Sequence, residues 1–244
     1  MIIITVELFI SYLLLIISAE TPSDYIKQCS KNDPYVKTCL INTIHHLRPY
    51  LNVGIPEIGL SIVEPFRLDK VLLTLTGGVN GYKIELTEVF IKGMSNFTIK
   101  DIKFGSKFEV IVTIPKLELN AKYTSSGVLI ILPANSNGTF YSRFDHVESI
   151  IKGSASTIIN NEKTYIKVDT LDVQLHIKNV FMHIQRNSNF NQIIGEASNL
   201  FLRENGREVL KAMEPQLKKK LSVLIIGIVN QLLRHVPVET FLLP

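Results

Sequence analysis

The hydrophobic period of this chain changes along its length, and that change restricts the fold more than any other feature. Between about Ile55 and Phe181, apolar residues recur at every second position. Examples are Tyr82, Ile84 and Leu86, then Phe108, Val110, Val112 and Ile114, then Leu171, Val173, Leu175 and Ile177. A period of two places alternate side chains on opposite faces of half-buried antiparallel strands. Turn residues separate the runs: Gly77-Gly78 with Asn80-Gly81, Ser125-Ser126-Gly127, Asn135 to Gly138, and Asn160-Asn161. From Phe190 onward the spacing is helical, with apolar residues at 190, 193, 194, 197 and 201 and again at 209, 213, 217, 221, 224, 228 and 232. Pro215 is expected to kink or divide that helix. Leu221 to Val229 is apolar nearly all round, which predicts burial on every side, and is too short to span a bilayer. Upstream, positions 36, 40, 41, 44, 47 and 51 predict one short helix over Val36–Leu51, with Pro49 and Gly54 at its exit.

The strand pattern slips phase three times. Even positions 82–86 give way to Val89 and Ile91. Phe108 to Ile114 give way, across Pro115, to Leu117, Leu119 and Ala121. Ile166 and Val168 give way to Leu171 to Ile177. A slip within one strand would turn its core side chains outward unless a β-bulge restores the face and bends the strand. Three bulges predict long, strongly curved strands; the alternative is that each slip joins two separate strands. The economical architecture is α+β, with one long C-terminal helix wrapped by a highly curved antiparallel sheet. No linker or internal repeat divides the chain, so it reads as one domain.

Composition supports this. The chain has 244 residues, 46% of them hydrophobic, and a net charge of +4. That excludes intrinsic disorder and provides enough core to fold without a metal or a dense disulfide set. Residues 1–19 are apolar apart from Glu7 and end in Ser18-Ala19. They read as a secretory signal peptide, leaving 20–244 as the domain. The rival is an uncleaved anchor. Secretion makes Asn96-Phe97-Thr98 and Asn137-Gly138-Thr139 candidate glycosylation sites. The oxidising compartment favours a disulfide between Cys29 and Cys39. A metal site made of those cysteines with His45 and His46 matches no zinc spacing.

Catalytic constellations are missing from the sequence. There is no nucleophile elbow, phosphate loop or H-E-x-x-H motif, so no catalytic residue, metal ligand or cofactor is expected. Asp169 and Asp172, and His176 and His183, read as solvated strand or rim residues. Lys218-Lys219-Lys220 is the only basic run, and it reads as a solvated helix face, with contact at a membrane surface the sharper alternative. Nothing forms an aromatic platform for nucleic acid.

Several motifs, in order, carry a resemblance. They are Gly54-Ile55-Pro56-Glu57-Ile58-Gly59-Leu60 with Glu64-Pro65-Phe66; Val89 to Asn96; Ile114-Pro115-Lys116-Leu117-Glu118-Leu119; and Gly127 to Pro133. The C-terminal set is Asn199, Phe201-Leu202-Arg203-Glu204-Asn205, Glu208-Val209, Pro215, Val236-Pro237 and Phe241-Leu242. With the two early cysteines, the chain resembles the takeout and haemolymph juvenile-hormone-binding protein family of insects. It departs from that pattern at Gly206, where the family has tryptophan, at Glu64, where it has aspartate, and at Val238, where it has tyrosine.

The resemblance implies a tubular lipid-binding fold enclosing an elongated apolar cavity, a Cys29–Cys39 disulfide beside a short N-terminal helix, and a small hydrophobic ligand such as juvenile hormone, another terpenoid or a fatty lipid. The expected function is that of a secreted, extracellular carrier, with neither nucleic-acid binding nor stable membrane insertion and with room for a protein receptor. The competing expectations are a signalling or interaction protein with a structural or adventitiously filled cavity, and a lipid hydrolase lacking any visible nucleophile motif. Inward strand faces and the long helix supply the candidate cavity residues: Val110, Val112, Leu117, Leu119, Leu129, Ile131, Leu175, Ile194, Phe201 and Leu217.

Overall fold

The structure is a computed structural model that describes residues 25–74, 82–129, 132–133, 135–187 and 192–244. The predicted leader and the Gly77–Gly81 turn lie outside the described residues. The first element among the described residues is a short strand, β1 (Cys29–Ser30), followed by helices α1 (Val36–His46) and α2 (Arg48–Val53). Strands β2 (Phe66–Thr74), β3 (Lys83–Lys92), β4 (Thr98–Lys103) and β5 (Lys107–Ser126) come next. The short β6 (Val128–Leu129) and β7 (Leu132–Pro133) precede β8 (Ser136–Asn160) and β9 (Lys163–Arg186). Helix α3 (Gln192–His235), a short α4 (Val238–Phe241) and β10 (Leu242–Leu243) complete the chain.

One antiparallel sheet dominates, in the order β2-β3-β5-β8-β9. The 20-residue β5 is long enough for β3 to pair with its C-terminal half while β4 pairs with its N-terminal half on the same edge. Strands β8 and β9 form a hairpin of 25- and 24-residue arms. It turns at Asn160 to Lys163, where Asn161 and Glu162 have positive φ, the geometry a tight hairpin turn requires.

The phase slips stay within single strands, and they take two forms. In β3 the register against β5 shifts between Thr87 and Phe90, and Glu88 has φ 49°. This bulge lets both Leu86 and Val89 point into the core. In β9 the register against β8 shifts by one residue beyond Ser154, so Val168 and Val173 are both buried. The slip at Pro115 has no register shift. Ile114 pairs with Val147 and Lys116 with Asp145; Val147 in turn pairs with Ile177 and Asp145 with Asn179. Pro115, His146 and Lys178 therefore lie at one level, and all three strands change phase together. His146 takes up the change with φ 54°. Leu175 and Ile177 are half-buried between the exposed His176 and Lys178, and Val180 is half-buried beyond that level.

Two apolar clusters hold the helix and sheet together. The larger joins Val71, Leu73, Leu86, Val89, Ala121 and Tyr123 of the sheet to Met213 of α3. The other closes one end of the molecule, joining Tyr25, Ile26, Ile55, Ile58 and Leu60 to Val236. At that end β10 pairs in parallel with β1, and Cys29 is bonded to Cys39, so β1, α1 and β10 are tied together.

The sequence motifs build this closed end. Ile55 and Leu60 exchange two backbone hydrogen bonds, folding the Gly54–Leu60 motif into a loop. Gly54 has φ 80°, and a Cβ there would lie 2.8 Å from Leu60 O. Glu64 Oε1 and Oε2 accept from the backbone N–H groups of Gly93 and Ser95, at 2.6 and 3.0 Å, so the first two motifs lock together. His45 Nε2 accepts from Ile99 N–H at 2.8 Å, which requires a neutral ring. Burial, and then the Arg48 guanidinium, push its pKa below the ordinary imidazole value.

Three local expectations change. The predicted Val36–Leu51 helix is two helices joined at Leu47, because Pro49 starts α2 at its first turn instead of ending α1. The long helix bends at Asn205 (φ −120°), not at Pro215. Asn205 Nδ2 donates to Phe201 O, the carbonyl four residues back, and so takes the acceptor that the helix ladder would use. At Pro215 the lost donor would have met Lys211 O; both residues are exposed, so the freed carbonyl lies on a solvent-facing flank. Finally, the Leu221–Val229 stretch is not buried all round, since Val223 is 65% exposed. The sheet covers one side of α3 and leaves that flank open.

Candidate ligand slot between helix α3 and strand β9

Helix α3 runs antiparallel to β9 and is fixed to both edges of the sheet by carboxamides. Asn199 Oδ1 accepts from Ile184 N–H at 2.8 Å while its Nδ2 donates to Ile184 O at 2.9 Å. Asn230 makes the same pair of bonds with Val168, at 2.8 and 2.9 Å. Gln216 does so at the opposite edge, with Thr74 of β2 at 3.2 and 3.0 Å. An amide presents one donor and one acceptor side by side, as a strand backbone does. Each clamp thus satisfies edge groups that would otherwise lie open to pairing. Glu239 of α4 adds its carboxylate to Thr164 N–H at 3.1 Å. Of the three carboxamides, Asn199 belongs to a sequence motif; Gln216 and Asn230 do not. Their signal in the sequence is a carboxamide set among apolar residues on a helix.

Between the β9 clamps lie two clefts. One, of about 350 Å³, is lined by Leu175, Ile177 and Val180 of β9 and Leu210 and Leu217 of α3, with charged side chains at its margin. Its neighbour, of about 540 Å³, has Leu171, Pro215, Val223 and Ile226 as its apolar lining. Both volumes fall in the range of small-ligand sites. Gly206 packs beside Val180; a Cβ there would lie 3.4 Å from Val180 Cγ1, so the absence of a large side chain keeps this stretch of helix close to the strand.

The candidate cavity residues divide. Leu175 and Leu217 meet in the first cleft. Leu119 packs against the larger core cluster, as Leu217 also does. Val110, Val112 and Leu117 are half-buried on β5. Phe201 is 38% exposed and outside both clefts. Ile131 and the side chains of Leu129 and Ile194 lie outside the described residues. The sequon residues Asn96 and Asn137 are both exposed. Among the described residues, no cluster of three His, Cys, Asp or Glu could hold a metal ion, and no helix is long and apolar enough to cross a membrane.

A long helix held against a highly curved antiparallel sheet defines the fold. The crystal structure of Takeout 1 from Epiphyas postvittana has the same fold: it superposes with a TM-score of 0.77 at 17% identity, over 90% of this chain and all of that one. The chain belongs to the haemolymph juvenile hormone binding protein family, whose sequence profile matches residues 3–243. Among curated proteins it is similar to the circadian clock-controlled protein daywake of Drosophila melanogaster. The two are 22% identical over 228 residues, which cover 88% of this chain and 86% of that protein. The daywake of Drosophila yakuba matches at the same identity and coverage.

Proposed function

We propose that this chain is a secreted, extracellular carrier of a small hydrophobic ligand, a terpenoid or a fatty lipid, and a binding protein rather than an enzyme. Residues 1–19 act as a cleaved signal peptide and 20–244 as the carrier domain, and Asn96 and Asn137 are accessible to glycosylation. The apolar slot between β9 and α3 carries this reading. It lies in the helix–sheet interface, where a globular core would be closed, and Leu, Ile and Val side chains line it alongside charged and polar ones. Each methylene moved from water into such a slot contributes about 0.8 kcal/mol. A tail of ten therefore gains about 8 kcal/mol before ordering costs.

The test is native mass spectrometry of protein purified from a secreting host, followed by lipid extraction. A stoichiometric mass excess that a terpenoid or fatty acid displaces supports the carrier. A clean unliganded mass, with no binding across a panel of both classes, overturns it and favours a protein partner as the functional contact.

A further inference from the structure

The slot opens sideways along β9, and its rim is cationic. Asn230 holds β9 at Val168 and Asn199 holds it at Ile184. Between those points, among the described residues, α3 reaches the β9 backbone only through Arg207, whose Nη2 donates to Lys178 O. Both clefts fall in this loosely tied interval. Alternation along β9 separates floor from rim. Leu171, Leu175 and Ile177 are half-buried, whereas the alternate Asp172, His176 and Lys178 are exposed, and both sets border the clefts.

Across the opening α3 contributes Arg207, Lys211, Lys218 and Lys219, with Glu214 the only acid. Glu214 is taken by Lys218 at 2.9 Å. Among the described residues, Lys178, Arg207, Lys211 and Lys219 form no ion pair. Lysines such as Lys83 and Lys100 also form no ion pair among the described residues, so the missing pairs alone do not mark the slot. What marks it is that Lys178, Arg207 and Lys211 line a single cleft whose one carboxylate, Glu214, is already paired.

We propose that this lateral slot selects amphiphiles whose apolar tail ends in an anion, with Lys178, Arg207 and Lys211 facing the head group. This deepens the carrier reading and rests on it. A tail lying on Leu175, Ile177, Val180, Leu210 and Leu217 would leave its head at the rim, in water but within the field of several cations. Arg207 uses one N–H on Lys178 O and keeps further donors for a carboxylate or phosphate. An alcohol or an ester has the same tail and gains nothing from the rim. A cationic head is repelled.

The experiment is calorimetric titration of the full secreted protein with dodecanoate, dodecanol and dodecyltrimethylammonium, at pH 7.4 and low and high salt. The expected order is dodecanoate tightest, by about tenfold over dodecanol, and the ammonium weakest. Raising salt weakens dodecanoate and leaves dodecanol unchanged. The double variant Lys178→Glu with Lys211→Glu, both exposed positions, cuts dodecanoate affinity about tenfold and leaves dodecanol within twofold. Should the variant fold poorly, the salt series on the unaltered protein separates the same two outcomes. Equal, salt-independent binding of dodecanoate and dodecanol overturns this inference and leaves the carrier standing. Binding of none of the three, together with none of the terpenoids, overturns both.

Discussion

Removing one amide clamp should loosen the whole molecule measurably. In Asn230→Ala, Val168 loses a donor at 2.9 Å and an acceptor at 2.8 Å. Val168 is only 5% exposed, so water replaces neither partner readily. Two net hydrogen bonds amount to about 2 kcal/mol, and leaving a buried N–H and C=O unpaired raises the cost. A loss of about 3 kcal/mol is expected, a large fraction of the 5–15 kcal/mol typical of a domain. Asn199→Ala removes an equivalent pair at Ile184, where burial is less complete, and should cost about 2 kcal/mol. The two clamps are separated by about 46 Å of helix, so the double variant should show the sum of the single losses. Asn205→Ala is the control. Its amide bonds only within the helix, and alanine's better propensity offsets that loss, so stability should move by about 0.5 kcal/mol or less. Urea unfolding followed by circular dichroism, with the slope unchanged among variants, gives each value. If both clamp variants lose no more than the control, the edge groups are hydrated in solution and the clamps do not hold the fold shut.

Other perturbations have equally definite outcomes. His45 is held neutral in the native state, so its pKa is lower folded than unfolded. That contribution is complete above the unfolded value near 6.5 and is lost as pH falls toward the folded one. Thermal melts from pH 7.5 to 5 should show a decline that His45→Gln shallows; an identical slope in the variant would exclude the Ile99 bond as its cause. Replacing Cys29 and Cys39 with serine should cost about 2–3 kcal/mol, because the bond closes a short loop between β1 and α1; reduction of the parent protein should match it. Glu64→Ala leaves the N–H groups of Gly93 and Ser95 without their carboxylate and should cost about 2–3 kcal/mol in urea unfolding. A change below about 0.5 kcal/mol would show that these donors are solvated instead.

The strands and the long helix were legible because periodicity reports which face is buried, and burial is what β5, β8, β9 and α3 share. The slips in β3 and β9 were legible as bulges for the same reason. The slip at Pro115 is of another kind: three strands change phase at one level, and a single strand's pattern cannot show that its neighbours compensate. The clamps were largely invisible, because Asn230 or Gln216 in a helix looks like a solvated polar residue until the edge it meets is known. The apolar girth of Leu221–Val229 suggested full enclosure. The exposure of Val223 shows that composition reports how much apolar surface a helix carries, not how much of it the sheet covers. Of the candidate cavity residues, Leu175 and Leu217 line one cleft, since alternation on β9 and helical spacing on α3 both report the half-buried face. Phe201, before the bend at Asn205, is 38% exposed.

The clamps read backbone, and that has an evolutionary consequence. Asn199, Gln216 and Asn230 grip Ile184, Thr74 and Val168 through groups that every residue except proline possesses. Side chains along β2 and β9 can therefore be exchanged without undoing the closure. The cleft lining could change in length, bulk or charge while the helix stays tied in the same register. Specificity and closure are written in different atoms, so one can drift while the other is kept.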